Sequence, residues 1–136
     1  MKYSKKIQSI VQSLDDVVKI AEGTAAQDLL ANMSVRIFNI GEDAKGKSIG
    51  RYSPEYAKMR KKAGLQISYV DLTFTTDLRN SIIHNENRVE FKNQYGIDIA
   101  NKNEMHFKRS IFEPSADERE RAIEIMREEF NKLFNK

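Results

Sequence analysis

The first 40 residues carry apolar positions at helical spacing. Within residues 4–21 the apolar side chains recur three, four and seven positions apart, which places them on one stripe of an amphipathic helix. This stripe consists of Ile7, Ile10, Val11, Leu14, Val17, Val18 and Ala21. Gly23 is predicted to end the helix, and Thr24 followed by Gln27 offers a capping box for a second helix.

A second helical pattern continues to the glycine at position 41. Its apolar positions are Ala26, Leu29, Leu30, Met33, Ile37 and Ile40. Gly41 supplies the predicted stop. Two helices, or one long kinked helix, are therefore expected before residue 41.

The middle of the chain predicts a loop, a helix and an extended segment. Residues 41–52 contain three glycines and no sustained period, which is typical of a loop. Ser53 as cap and Pro54 at the first helical position start a helix that Gly64 closes. Residues 66–74 are rich in β-branched and aromatic residues, so an extended segment is expected, with a short strand as one option.

A hairpin and two more helices are predicted after residue 80. Residues 81–84 and 88–92 are typical of strands joined by a tight turn, and residues 95–107 favour a short helix. Ser115 followed by Glu118 forms a capping box for a last amphipathic helix. That helix is expected to bury Ala122, Ile123, Met126, Phe130 and Leu133. The predicted fold class is α+β in a single domain of residues 1–136, with N-terminal helices, a small antiparallel hairpin sheet and a C-terminal amphipathic helix.

Length and composition narrow the classes of protein. A chain of 136 residues has the length of one domain, and it contains no cysteine, which excludes disulfides and thiolate chemistry. No apolar run approaches the roughly 20 residues of a membrane span, and the N-terminus lacks the apolar segment of a signal peptide. The protein is therefore expected to be made and used in a cytoplasm, with no membrane partner.

One segment matches the phosphate-binding loop pattern G-x-x-x-x-G-K-S. In this pattern, which runs from Gly41 to Ser48, Lys47 would neutralise the phosphates and Ser48 would hold a magnesium ion. The lysine and serine would have to begin a helix, but Gly50 and the helix start at Ser53 follow too soon. The segment before the loop also has helical spacing where a strand is needed. A nucleotide-binding protein is thus a less favoured alternative.

No other pattern argues for catalysis. The two histidines, His84 and His106, have no metal-ligand spacing, and no serine has the G-x-S-x-G surroundings of a nucleophile. Carboxylates at the start of the last helix are explained by the helix dipole. No catalytic, cofactor-binding or metal-binding residue is predicted, and the chain is not expected to be an enzyme.

A basic stretch overlaps the loop and the helix after it. Between Ala44 and Lys62 there are seven basic residues against one acidic residue, Glu55. The basic residues are Lys45, Lys47, Arg51, Lys58, Arg60, Lys61 and Lys62. A solvated surface would explain them, and so would a contact with an acidic neighbouring subunit or with nucleic acid. A nucleic-acid-binding module is therefore an alternative function, although no base-reading motif accompanies the stretch.

Several short motifs follow one another from residue 41 onward. A glycine loop G-x-D-x-x-G spans residues 41–46, a serine-led helix begins at Ser53, and a basic end lies at residues 60–64. A pattern close to L-x-x-T-G-x-L-x-x-S-I then covers residues 72–82. A segment with Arg109, Phe112, Ser115 and Glu118 leads into the closing helix.

In this order and approximate spacing, the motifs resemble the phage virion morphogenesis family, the tail-completion proteins of tailed phages. The resemblance covers nearly the whole chain from Ile37 onward, and it identifies the phosphate-loop pattern with a family glycine turn. Two places depart from the family pattern. Thr76 stands where the family has glycine, so the turn there must differ or be strained. Ile49 and Gly50 stand where an aromatic residue is common.

The resemblance implies a structural virion protein, assembled in the host cytoplasm and placed in the neck at the head–tail junction. It would form a homo-oligomeric ring, of six subunits by family analogy, and would complete or join the tail beside connector and tail proteins. Head-to-tail contacts need two complementary patches on each subunit. We hypothesise that the basic stretch forms one patch and that the last helix, with Glu124, Glu128 and Glu129, forms the other. Proximity to DNA would be non-specific.

Overall fold

One continuous helix, α1 (Lys2–Ser34), opens the structure. The computed structural model describes the backbone of residues 2–134 and the side chains of residues 15–132. Of the first predicted stripe, Ala21 is buried and Val17 and Val18 are half-buried. The other members of that stripe, Ile7, Ile10, Val11 and Leu14, lie outside the described side chains.

Gly23 lies inside α1, at the point where another part of the chain crosses the helix. A Cβ atom at this position would lie 3.4 Å from the carbonyl oxygen of Glu86 in the hairpin turn. Thr24 does not cap a new helix, because its hydroxyl donates to the carbonyl oxygen of Ile20, one turn earlier, at 3.1 Å. The prediction that Gly23 ends the first helix is therefore wrong, and of the two expected alternatives the single long helix is the one that forms.

The last turns before residue 41 are π-helical, over Val35–Ile40. The N–H groups of Gly41 and Glu42 both donate to the carbonyl oxygen of Arg36 at 2.9 Å, which closes wider turns than those of an α-helix. These turns break the 3.6-residue period, so Ile40, which the predicted stripe would bury, is 50% exposed. Gly41 ends the helix as predicted, in the left-handed conformation with φ 80°.

The short helix α2 (Pro54–Lys62) starts as predicted, with the Ser53 hydroxyl accepting the backbone N–H three residues later at 3.2 Å. The segment after it, residues 66–74, contains no strand. The side chains of Gln66 and Asp71 accept backbone N–H groups within this segment, at 2.9 to 3.3 Å. Because these side chains replace the partners that a neighbouring strand would supply, the strand option is wrong.

The turn at the family's glycine position is formed without a left-handed residue there. Thr76 has φ −85°, which any residue adopts easily. Leu72, four residues earlier, has φ 53°. The turn of this chain therefore differs from a glycine turn, as the sequence allowed, and Thr76 itself is not strained.

A two-stranded antiparallel hairpin follows α3 (Asp77–Ser81). Its strands are β1 (Ile82–Asn85) and β2 (Arg88–Phe91). The paired residues are Ile82 with Phe91, Ile83 with Glu90, His84 with Val89 and Asn85 with Arg88. The predicted hairpin is confirmed with two changes: Ser81, predicted as the first strand residue, belongs to α3, and Lys92, predicted as the last, follows the end of β2.

Two helices complete the fold, α4 (Gln94–Phe107) and α5 (Ala116–Phe134). α5 runs antiparallel along α1, since Arg36 pairs with Glu118 and Asp28 pairs with Arg121. The predicted capping box forms: Ser115 Oγ accepts the N–H of Glu118 at 3.2 Å, and Glu118 Oε1 accepts the N–H of Ser115 at 3.0 Å. The α+β class is as predicted, whereas the short helix α3 before the hairpin was not predicted.

The buried face of α5 is rotated from the predicted one. Ile123 is 51% exposed, whereas Ile125, which was not predicted, is 8% exposed. Glu118 and Ile125 are seven residues apart and therefore share the face that packs on α1. Ala122, Met126 and Phe130 are half-buried beside that face, and Leu133 lies outside the described side chains.

The hydrophobic core joins the end of α1 to the loops and the hairpin. Its buried members are Met33, Ile37, Phe38, Ile49, Val70, Leu78, Ile82, Ala100 and Ile111. Three of these, at positions 49, 70 and 111, come from segments that are neither helix nor strand. The core therefore fixes the loops on which the candidate surfaces lie.

Candidate interaction surfaces

The glycine loop, residues 41–50, is folded around its own carboxylate. Asp43 is only 4% exposed, and its Oδ1 accepts the N–H groups of Lys45 and Lys47, both at 2.9 Å. Its Oδ2 accepts Nη1 of Arg109 at 3.0 Å. Burial alone would raise the pKa of Asp43, but these hydrogen bonds and the arginine charge outweigh it and hold the pKa below that of an ordinary aspartate. Asp43 is thus a permanent internal counterion.

This arrangement is not that of a phosphate-binding loop. The N–H groups of Lys45 and Lys47, which would have to wrap a phosphate, are directed at Asp43. The next helix begins at Pro54, six residues after Ser48, so neither Lys47 nor Ser48 lies at a helix start. The segment before the loop is helical. The geometric objections raised by the sequence are therefore confirmed.

Arg60 is not part of an exposed basic surface, contrary to the prediction. Its side chain is 1% exposed, with Nη2 at 3.1 Å from Asp71 Oδ1. Nε and Nη1 donate to the carbonyl oxygens of Gln66 and Thr73, each at 3.0 Å, and the guanidinium lies 4.5 Å from the centre of the Tyr52 ring. A buried cation requires such partners, and Arg60 finds them on the inner face of α2, where it ties this helix to residues 66–73.

Tyr52 completes the polar cluster around Arg60. Its hydroxyl donates to Asp71 Oδ1 at 3.0 Å and accepts the N–H of Asp71 at the same distance. Burial, together with the neighbouring carboxylate, raises the pKa of Tyr52 to about 12. The phenol therefore stays protonated and acts as a structural hydrogen-bond donor.

The remaining cations of α2 form an exposed surface. Lys58, Lys61 and Lys62 are three and four residues apart, so they share the side of the helix opposite Arg60, and all three are exposed. We call this set the α2 lysine face. None of these lysines takes part in an ion pair within residues 15–132.

The two loop lysines belong to a different surface. Lys45 and Lys47 line a cavity of about 500 Å³ together with Lys108 and Arg109, from the connection between α4 and α5. We call this the cation cavity. Sequence reasoning missed Lys108 as a functional candidate and took Arg109 only as part of a motif, because both are some 60 residues away along the chain. The hydrogen bond from the N–H of Ala44 to the carbonyl oxygen of Ser110 joins the two segments.

Arg51 joins neither surface. It lines an aromatic groove of about 470 Å³ with Tyr52, Tyr56, Phe74 and Phe107. The predicted basic stretch is therefore divided into four parts: the α2 lysine face, the loop half of the cation cavity, one arginine at the groove and one buried arginine.

The proposed acidic patch is present on α5 in a modified form. Glu124 and Glu128 are exposed, and Glu120, which was not predicted, lies one further turn back on the same side and is exposed too. We call these three the α5 acidic face. Glu129 does not belong to it, because its side chain is only 20% exposed and pairs with Lys132 at 3.2 Å. Arg127 is exposed nearby and reduces the net negative charge.

A buried arginine fixes α5 to the glycine loop. Arg36 Nε lies 2.7 Å from Glu118 Oε2, and the rest of the guanidinium donates to the carbonyl oxygens of Glu42, Ile111 and Glu113 at 3.0 to 3.1 Å. The π-helical turns place Arg36 at this junction. No sequence signal predicted this contact, because its partners lie up to 82 positions away.

The histidines and carboxylates form no metal-binding group in the part of the chain that the structure describes. His84 is half-buried on β1, with Nε2 at 3.4 Å from Nε2 of Gln27. Within residues 15–132, no three His, Asp or Glu side chains come together as metal ligands. Among the described residues, no helix has both the length and the apolar composition that a membrane crossing needs.

Comparison with known proteins adds no relative. No protein-family model, curated protein or solved structure matches this chain.

Proposed function

We propose that this chain is a structural protein of a tailed phage particle, which completes or joins the tail at the head–tail interface as a homo-oligomeric ring. The support is the ordered resemblance of its motifs to the tail-completion family, together with the way in which the fold distributes charge. The glycine loop, which looked like a nucleotide site, is occupied by Asp43. Contact surfaces are therefore the best-supported source of activity.

The observation that carries the proposal is the separation of exposed charges of opposite sign. Three arginines are taken up by the buried carboxylates of Asp43, Asp71 and Glu118. Among the exposed charges that remain, lysines are grouped on α2 as the α2 lysine face, and glutamates are grouped on α5 as the α5 acidic face, where exposed Arg127 lies beside them. Each subunit thus presents two unlike patches, which is what a head-to-tail contact between identical subunits requires.

Exposed apolar residues accompany both faces. Met59 on α2 is 48% exposed and Ile123 on α5 is 51% exposed. Single exposed ion pairs contribute only about 0–1 kcal/mol each, so the charges would set register and partner choice while the apolar residues supply buried area. A ring contact between α2 and α5 would cover both kinds of residue at once.

Charge reversal tests the proposal. The double variant Lys61→Glu and Lys62→Glu places like charges opposite the α5 acidic face of the next subunit, so we expect weaker association in size-exclusion chromatography with light scattering. Adding Glu124→Lys and Glu128→Lys to the same chain should restore association, because the pair is then complementary again.

A matched control reverses the same number of positive charges at a site outside both faces. Lys92 and Lys102 are exposed and belong to neither face, and their reversal to glutamate should leave association unchanged. Association that survives the Lys61 and Lys62 reversal, or that the control reversal weakens equally, would refute the pairing of these two faces.

A further inference from the structure

The cation cavity has a positive charge that the fold does not neutralise. It is lined by Lys45, Lys47, Lys108 and Arg109 against a single carboxylate, Asp43. Asp43 already accepts two backbone N–H groups and the Arg109 guanidinium. Its charge is balanced by Arg109, so the three lysines remain without an ion-pair partner among the described residues. The cavity therefore attracts an anion.

The cavity is built by specific contacts. One wall is the glycine loop, which is held by the hydrogen bonds to Asp43 and by one from the N–H of Asp43 to the carbonyl oxygen of Lys47 at 2.7 Å. The other wall follows α4, where Lys108 caps the helix with φ 56°. A left-handed conformation is unfavourable for lysine. This backbone places a lysine side chain where glycine would be more stable.

The chemistry of the lining favours phosphate. Lysine ammonium groups act as point charges toward phosphate oxygens and read no base identity. Three uncompensated charges around one cavity match a polymer that carries closely spaced phosphates, because duplex DNA presents one negative charge for about every 1.7 Å of its axis. The net charge of +3 on the whole chain acts in the same direction.

We propose that the cation cavity binds the phosphodiester backbone of nucleic acid without sequence preference, through Lys45, Lys47 and Lys108. This inference does not depend on the ring, because none of these lysines belongs to the α2 lysine face or the α5 acidic face. Phe107 lines both this cavity and the aromatic groove. A single strand that follows the backbone could therefore stack a base in the groove, whereas a duplex would contact the cavity alone.

Fluorescence anisotropy with labelled DNA tests the proposal, using a random-sequence duplex and a single strand of equal length. We compare the wild-type chain with the double variant Lys47→Gln and Lys108→Gln over a range of salt concentrations. Each lost phosphate contact makes the slope of log association constant against log salt concentration shallower by about 0.9, which at ~0.1 M salt is about 8-fold in affinity. The double variant loses two contacts, so its affinity for the duplex should fall about 60-fold. The control pair Lys92→Gln and Lys102→Gln, with the same loss of charge outside the cavity, should change affinity by less than about 3-fold.

A second variant separates binding from folding. Lys108→Gly removes the cation and relieves the left-handed backbone, so the melting temperature should not fall while affinity drops about 8-fold. Light scattering should show the same oligomeric state for this variant as for the wild type, which keeps the test independent of the ring. Stronger binding of the single strand than of the duplex would assign the phosphates to single-stranded nucleic acid.

Three results would overturn the proposal. The first is the absence of salt-dependent binding to either DNA. The second is an equal loss of affinity in the control pair, which would show that net charge alone is responsible. The third is binding of inorganic phosphate in calorimetry with no binding of DNA, which would assign the cavity to a free anion.

Discussion

Two glycines show how differently the same residue type acts in this chain. Gly41 has φ 80°, and a Cβ atom there would lie 2.4 Å from the carbonyl oxygen of Val70. Both the conformation and the space require glycine. Gly23 is an ordinary helical residue, and a Cβ atom there would only touch the Glu86 oxygen at 3.4 Å. In the sequence both glycines lie next to helical patterns. The sequence alone does not distinguish a glycine that ends a helix from a glycine at which another segment of the chain crosses the helix.

Alanine substitutions should separate the two roles. Gly41→Ala should destabilise the protein by about 2–4 kcal/mol, since it combines left-handed strain with a clash. Gly23→Ala should instead stabilise it by about 0.5–1 kcal/mol, because alanine favours the helix and fits the remaining space. Urea unfolding of both variants measures the difference. A loss of stability in Gly23→Ala comparable to that in Gly41→Ala would mean that α1 is interrupted at residue 23.

At the scale of elements, the sequence predicted those that depend on local signals. The serine cap and proline of α2 and the capping box of α5 act over a few residues, and both are found. The misses have two different causes, one local and one that depends on a distant partner. Residues 66–74 form no strand because their own side chains accept their N–H groups, and Ile123 is exposed because Glu118 and Ile125 face α1.

Glu118 has two roles that mutation can separate. It completes the capping box with Ser115 and neutralises the buried Arg36. Ser115→Ala removes only the cap and should cost about 1 kcal/mol. Glu118→Gln leaves Arg36 buried without a counterion and should cost about 3–5 kcal/mol. Denaturant titration measures both losses, and equal losses would show that the ion pair adds nothing beyond the cap.

At the scale of the whole molecule, the arrangement of charge could not be read from the linear sequence. The basic stretch looked like one patch, but Arg60 is buried with Asp71, and the loop lysines meet Lys108 and Arg109. The cation cavity needed the three-dimensional fold, because it depends on contacts between Asp43, Ala44 and the 108–110 segment.

The mass of the native protein tests the central claim most directly. Native mass spectrometry of the purified chain should show one closed assembly with a fixed number of subunits. For six copies of a 15.7 kDa chain the mass is about 94 kDa. The assembly should dissociate on reversal of Lys61 and Lys62 and re-form in the charge-swapped chain. A wild-type protein that stays at 15.7 kDa up to its solubility limit would contradict the ring.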